Sequence, residues 1–355
     1  MKFYDISNML KTNAQYMMLL GQRANGKSYQ VKETVLKEAY LGIPFVYLRR
    51  WQADIKQLFV ESYFSDMPIK RITHGAWEGV KAWNGGLYFY KKSEKGDIIK
   101  SDIIGRYCAL NEYERYKSNV FHAKNIIYEE FITDKVYLNE EPRLLQHFVS
   151  TVARLDEVRV FLVGNTLSRV CPYFSEWCLD GVLNQKQGTI EVYHHHFALE
   201  DGEESVVDIA VEYCATANVY NKMFFGQSAK QIVSGEWDTI DMPKLPKPRE
   251  WYEKVYEVLV EYQKFKFVIE LLIEPFEGGK ICFVYPHTKN RKILRKITNQ
   301  FSDNPFVSAK LDIKKRPEAL INECFRLGKV CYSDNLTGSD FKHVNDTFRI
   351  GSLVL

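Results

Sequence analysis

The residues with the clearest chemistry stand in one turn. From Tyr16 to Glu33 the chain reads YMMLLGQRANGKSYQVKE, and Gly21 to Ser28 fits G-x-x-x-x-G-K-[ST] at every fixed position. Such a turn lets successive backbone N–H groups curl around phosphate oxygens, backed by the partial positive charge of a helix N-terminus. The lysine reaches the β- and γ-phosphates and the hydroxyl binds Mg²⁺. Gly21, Gln22, Arg23, Ala24, Asn25, Gly26, Lys27, Ser28 and Tyr29 are therefore the candidate nucleotide-binding residues, with ATP and Mg²⁺ as the implied ligands. Arg23, inside the loop, is placed to touch phosphate or a subunit interface.

Phosphoryl chemistry also needs carboxylates at the end of a neighbouring parallel strand, because ligands bind outside the carboxyl ends of such strands. NIIYEE, Asn125 to Glu130, offers two. Adjacent strand residues point to opposite sides, so the pair can divide its labour: Glu129 supports the metal and Glu130 polarises the attacking water. VRVFLVGNT, Val158 to Thr166, ends with Asn165 as a candidate γ-phosphate sensor. Arg154, late in a predicted helix between these strands, is a candidate arginine finger that reaches a neighbouring subunit's nucleotide.

These residues need a frame. MMLL reads as a short buried strand and SYQVKETVLKEAYL as an amphipathic helix. IPFVYLRR, Ile43 to Arg50, reads as a second buried strand ending in two arginines. GGLYFYKKSEKGDIIKSDIIGRYCAL predicts antiparallel strands around a polar turn, and GTIEVYHHHF an edge strand. Strands alternating with helices from residue 15 to about 240 predict a three-layer α/β domain. At DMPKLPKPRE the character changes. Pro243, Pro246 and Pro248 suit a stiff, extended linker over 241–250. A smaller strand-rich domain follows over 251–355.

Composition narrows the class. A chain of 355 residues suits two domains. No apolar run approaches the ~18 residues that a membrane span requires, and MKFYDISNMLKTN lacks the apolar core of a secretory signal. Seven scattered cysteines without a CxxC argue for reduced thiols in a cytosol, not for disulfides or structural zinc. A net charge of +3 is too small to imply a nucleic-acid partner by itself.

Gly-x-Arg-x-x-Gly-Lys-Ser, then FVYLRR, then IIYEEF, then VARLDEVRVFLVGNTLSRVCPYF resembles the genome-packaging ATPases of small tailed phages. The likeness is to the phi-29-type motor, a compact relative of the large terminase subunits, and covers about residues 15–180. It implies an additional-strand (ASCE) P-loop ATPase that drives double-stranded DNA into a procapsid. It also implies a homomeric ring, typically a pentamer, at the portal vertex in the host-cell cytoplasm. Carried over by position, Lys27 and Ser28 bind phosphate and metal. Glu129 stands at the metal-supporting acid, Glu130 at the catalytic one, and Arg154 at the arginine acting in trans. One departure is Glu129 itself, since that acid is normally an aspartate.

The resemblance further implies an RNase H-like second domain, a nuclease in the large terminases. A two-metal nuclease needs several carboxylates converging on ions about 4 Å apart. Here Glu270, Glu274 and Glu277 are too few and Asp303, Asp312 and Asp334 sit at loops or edges, so the expectation is a degenerate nuclease domain. Instead it carries bases: Lys289, Arg291, Lys292, Arg295 and Lys296, then Lys314, Lys315 and Arg316. On a helix, 292, 295 and 296 would share one face, and a stripe of Arg291, Lys292, Arg295 and Lys296 could neutralise nucleic-acid phosphates. In phi-29-type motors this domain contacts a structural RNA or the portal. Three adjacent histidines, His194 to His196, cannot converge on one metal from a strand. The rival readings are a terminase that also cuts DNA, a small-molecule kinase, and a nucleotide-binding scaffold without turnover.

Overall fold

A computed structural model of the chain describes residues 4–116, 121–154, 156–198, 204–215, 237, 241–276, 278–288 and 291–351. The chain divides into two compact units. One comprises Met1–Ile132, Leu138–Thr166 and Pro172–Glu236, the other Thr133–Tyr137, Leu167–Cys171 and Trp237–Leu355. Glu277 and Lys289 lie outside the described residues.

The first unit is built on nine strands: β1 (Tyr16–Leu20), β2 (Phe45–Arg49), β3 (Gly79–Trp83), β4 (Gly86–Lys92), β5 (Ile98–Ala109), β6 (Asn125–Glu129), β7 (Arg159–Val163), β8 (Thr189–Ala198) and β9 (Glu204–Tyr213). They lie in the order β3-β4-β5-β2-β6-β7-β1-β9-β8. The six from β5 to β9 run parallel, and antiparallel strands close both edges. All five residues of β1 and of β6 are buried, as expected of parallel strands covered on both faces. Met17, Leu19, Ile127 and Phe161 pack with Val31, Val35 and Leu36 of helix α2 (Lys27–Tyr40) on one face. Tyr128, pointing the other way, meets Glu141 of α5 (Glu141–Ala153) and Tyr173 of α6 (Pro172–Glu176). Three further helices among the described residues are short: α1 (Ser7–Leu10), α3 (Gln57–Phe64) and α4 (Ile69–Ile72).

Two strands escaped the sequence reading. β3 is short, and β9 carries Asp208 and Glu212 among its apolar residues, which masks its pattern. Yet β9 is a parallel neighbour of β1, on the side opposite β7. β8 is the edge strand expected, and its His194 binds Asp208 through Nδ1 at 2.7 Å. Among the described residues no cluster of three or more His, Cys, Asp or Glu could hold a metal ion. No helix among them is long and apolar enough to cross a membrane, and none of the seven cysteines, all among the described residues, forms a disulfide.

The second unit has a six-stranded sheet. β10 (Glu253–Tyr262), β11 (Phe265–Ile273) and β12 (Lys280–Pro286) form an antiparallel meander. β13 (Lys296–Thr298) pairs parallel with β10, β14 (Val307–Ser308) with β13, and β15 (Val330–Tyr332) with β12. Helices α7 (Arg316–Arg326) and α8 (Asn335–Phe348) flank β15 in sequence. The proline-rich segment forms no strand, bends at Pro246 and Lys247 and enters a short 3-10 turn at Arg249–Trp251, and its first residues are anchored. Met242 is buried and its N–H donates to Asn335, while the Pro243 carbonyl accepts from the Tyr332 N–H at 2.8 Å.

Candidate active site

The phosphate loop leaves β1 at Gly21, whose φ of 134° is closed to most side chains, and passes through Ala24 at φ 59°. Gly26, at φ 100°, caps α2. A side chain at Gly21 would also lie 3.2 Å from the Cys214 carbonyl. Lys27 is 4% exposed, not the exposed loop lysine that the motif suggests. Its ammonium donates to the carbonyls of Gly21 (3.1 Å) and Gln22 (2.6 Å) and to Asn25 Oδ1 (3.2 Å). Burial pulls it down to about 8. Gln22 and Asn25 are buried as well, and Gln22 Oε1 and Asn25 Nδ2 have no hydrogen-bond partner. Arg23 and Ala24 are exposed at the mouth. A strap the sequence did not announce crosses the loop: the Tyr4 N–H donates to the Asn25 carbonyl at 3.1 Å, and the Tyr4 hydroxyl to Glu212 of β9 at 2.6 Å.

The strand order brings the remaining residues to this loop. β6, β7 and β1 are adjacent, so their carboxyl ends share one cavity of about 390 Å³. Arg23 to Tyr29, Glu129, Glu130 and Asn165 all line it. Glu129 is buried and accepts a 2.6 Å hydrogen bond from the Tyr63 hydroxyl of α3, and the Ser28 hydroxyl lies in the same cavity. Burial raises its carboxyl above the usual carboxylate range, against the opposing pull of these two hydroxyls. Glu130 lies beyond the strand end, with φ 57° and its N–H donating to the Val163 carbonyl at 2.8 Å. The left-handed turn, not strand alternation, separates the two acids and leaves both facing one cavity. Glu130 Oε2 is held by Arg49 Nη2 at 2.7 Å.

The two arginines that end β2 do different work. Arg49 meets Glu130, whereas Arg50 is buried in a paired contact with Glu141 at 2.7 and 3.0 Å and donates to the carbonyls of Glu130 and Phe131. Arg50 therefore fixes the backbone on which the acids stand. Before Asn165, a side chain at Gly164 would come within 2.8 Å of the Phe131 ring. Arg154 is the exposed C-cap of α5, with φ 51°, and is not among the residues lining the cavity.

This geometry suits a nucleoside triphosphate. The neutral acceptors around Lys27 are replaceable by phosphate oxygens, and the unpartnered Gln22 Oε1 and Asn25 Nδ2 leave loop polarity unspent. Ser28 and Glu129 are the pair able to hold a divalent ion. A model of the podovirus DNA encapsidation proteins (Gp16) matches residues 1–200, a stretch containing every residue of this cavity. The chain belongs to the podovirus DNA encapsidation protein (Gp16) family. By that membership it is a phage DNA-packaging protein.

Two solved motors share the fold. The bacteriophage Phi-29 viral genome packaging motor assembly is 17% identical, with 98% of this chain and 99% of that one covered and a TM-score of 0.55. The Phi-28 gp11 DNA packaging motor is 16% identical, with 98% of each chain covered and a TM-score of 0.53. A comparison with curated proteins returned no match.

The basic stripe of the second unit is not a stripe. Residues 291–295 form no helix, and Lys296 opens β13. Arg291 pairs with Glu257 and, at 2.9 Å, with Glu270; Lys296 pairs with Glu261. Arg295 is 6% exposed and holds Glu318 through two nitrogens at 2.7 and 2.8 Å. Of the four bases, Lys292 alone is exposed. Glu257 and Glu270 face each other across β10 and β11, the kind of acid pair a metal site needs, yet Arg291 bridges them and Arg249 holds Glu270 at 2.6 Å.

Proposed function

We propose that the chain hydrolyses ATP at Gly21–Ser28 and couples it to moving double-stranded DNA into a procapsid, as one subunit of a ring at the portal. Residues 1–240 serve as the ATPase domain, and 251–355 as a degenerate RNase H-like domain that meets portal or nucleic acid. The single observation that carries this reading is the convergence of Lys27, Ser28, Glu129, Glu130 and Asn165 on one cavity. Strand β7 lies between the phosphate-loop strand and the acid strand, the arrangement of additional-strand ATPases.

Lys27 turns from its loop carbonyls to the β- and γ-phosphates. Ser28 and Glu129 would hold Mg²⁺, which would supply charge neutralisation to those phosphates. Glu130, released from Arg49, orients the attacking water, and Asn165 sits where loss of the γ-phosphate would be felt. Arg154, outside its own cavity, acts on a neighbour's in a homomeric ring of five subunits. Arg23, at the mouth, reaches phosphate or the adjoining subunit. The second domain's strand run β12-β11-β10-β13-β14 supports the RNase H-like reading, although no described helix separates β12 from β13. The arginines holding Glu257 and Glu270 favour a domain that does not cut. The test is ATP turnover by the full chain with Mg²⁺, with and without double-stranded DNA. DNA-stimulated hydrolysis with no plasmid cleavage in Mn²⁺ is the expected result; hydrolysis indifferent to DNA would favour a kinase-like enzyme.

A further inference from the structure

The acid beside Ser28 is a glutamate, one methylene longer than an aspartate, and a longer side chain brings one more torsion to fix. The fold fixes it from α3. The Tyr63 hydroxyl donates to Glu129 Oε1 at 2.6 Å, and Ser28 of the phosphate loop lines the same cavity. The Tyr63 ring is held without using that hydroxyl. It stacks on Tyr47 with centroids 4.5 Å apart, and the Lys32 ammonium lies 4.6 Å from its centroid. Lys32 also donates to the Tyr63 carbonyl at 2.7 Å and is itself tied to Asp66. Packing thus sets the ring, leaving the hydroxyl one bond to make.

We propose that Tyr63 is a positioning residue for the metal-supporting acid: its hydroxyl locks Glu129 into the rotamer that faces the phosphate-loop cavity, which lets a glutamate serve where an aspartate would need no such prop. This rests on the nucleotide reading above. A group that orients a metal-supporting carboxylate acts on the metal and not on the phosphates, so its loss separates metal affinity from nucleotide affinity. A residue that merely supported the fold would lower both together.

The experiment titrates Mn²⁺ into the full chain saturated with ATPγS, reading bound metal by electron paramagnetic resonance, and measures ATPγS affinity separately in EDTA. Tyr63→Phe keeps the ring and removes only the hydroxyl. It should weaken Mn²⁺ binding by about 10- to 100-fold, the usual cost of removing a group that orients a ligand, with metal-free ATPγS affinity unchanged within about twofold. Glu129→Asp is too short to need the hydroxyl, so adding Tyr63→Phe to it should cost less than about twofold more, the non-additivity expected of coupled residues. Wild-type Mn²⁺ affinity in Tyr63→Phe, an equal loss of metal-free ATPγS binding, or the full penalty recurring on top of Glu129→Asp would each overturn the proposal while leaving the nucleotide site standing. If wild type itself bound no Mn²⁺ with ATPγS, the nucleotide reading would fall and this inference with it.

Discussion

Lys27 and Arg295 are both buried bases, and they differ in what holds them. Lys27 lies among two carbonyls and an amide oxygen, neutral acceptors beside an open cavity. Arg295 is fastened to the carboxylate of Glu318, itself fully buried. Hydrogen bonds from the ammonium to neutral acceptors are each worth about 1.5–3 kcal/mol net, and an incoming phosphate oxygen, itself charged, can replace them. Removing one partner of a buried ion pair costs about 3–5 kcal/mol, so that pair is permanent. A base serves ligand binding when its partners are exchangeable, and serves the fold when they are charged and enclosed.

A third base, Arg154, extends the comparison because it is exposed and away from its own cavity. Arg154→Ala should lower turnover of the assembled motor by ~10³-fold or more, the scale of a lost arginine finger. Mixing it with Glu130→Gln subunits should restore part of the rate, because some interfaces then pair an intact site with an intact finger. Mixed rings that stay inactive would place Arg154 in a structural role.

Arg295→Ala should destabilise the second unit by about 3–5 kcal/mol in urea denaturation, since Glu318 is left charged and buried. The ion pair holds Glu318 below the usual carboxylate range. Its contribution is therefore present above the unfolded carboxyl's value and is lost as pH falls through the folded one. An Arg295→Ala chain as stable as wild type would erase the contrast with Lys27.

Lys27→Ala should lower ATP turnover by at least ~10²-fold, as for other removed electrostatic stabilisers. It also leaves two loop carbonyls without their donor, so the loop should loosen and Gly21–Gly26 amides should exchange faster with solvent. Undiminished turnover would break the phosphate reading. The smallest effect belongs to Lys292→Ala. If this base meets phosphate, the slope of log affinity for nucleic acid against log salt shrinks by ~0.9, and by no more. Alanine at Arg291 or Lys296, already paired with acids, should leave that slope unchanged.

The P-loop, both acids and Asn165 were legible in sequence because each sits within a few residues of a buried strand's end, and strand ends are written locally. The strand order that joins them was not, because adjacency of β6, β7 and β1 is a non-local pairing. The same reason hid Tyr63, Tyr4 and Arg49, which reach the site from α3, the N-terminal segment and β2. Their residue types carry no local sign of a partner 66, 21 or 81 residues away. Arg291, Arg295 and Lys296 read in sequence as part of an open basic run for the complementary reason. Their acids, Glu257, Glu261, Glu270 and Glu318, are distant in sequence, so a run of bases looked unneutralised. Composition reports charge; only the fold reports what the charge is paired with.

The most direct test of the central claim is Glu130→Gln in the full chain, with ATP binding and single-turnover hydrolysis measured on the same sample in Mg²⁺. The amide keeps the shape and loses the negative charge that polarises water. The account predicts ATP affinity close to wild type and hydrolysis reduced to background. Hydrolysis at the wild-type rate would contradict it, because the water would then be activated by some other group and the cavity at the ends of β6, β7 and β1 would not be the catalytic centre.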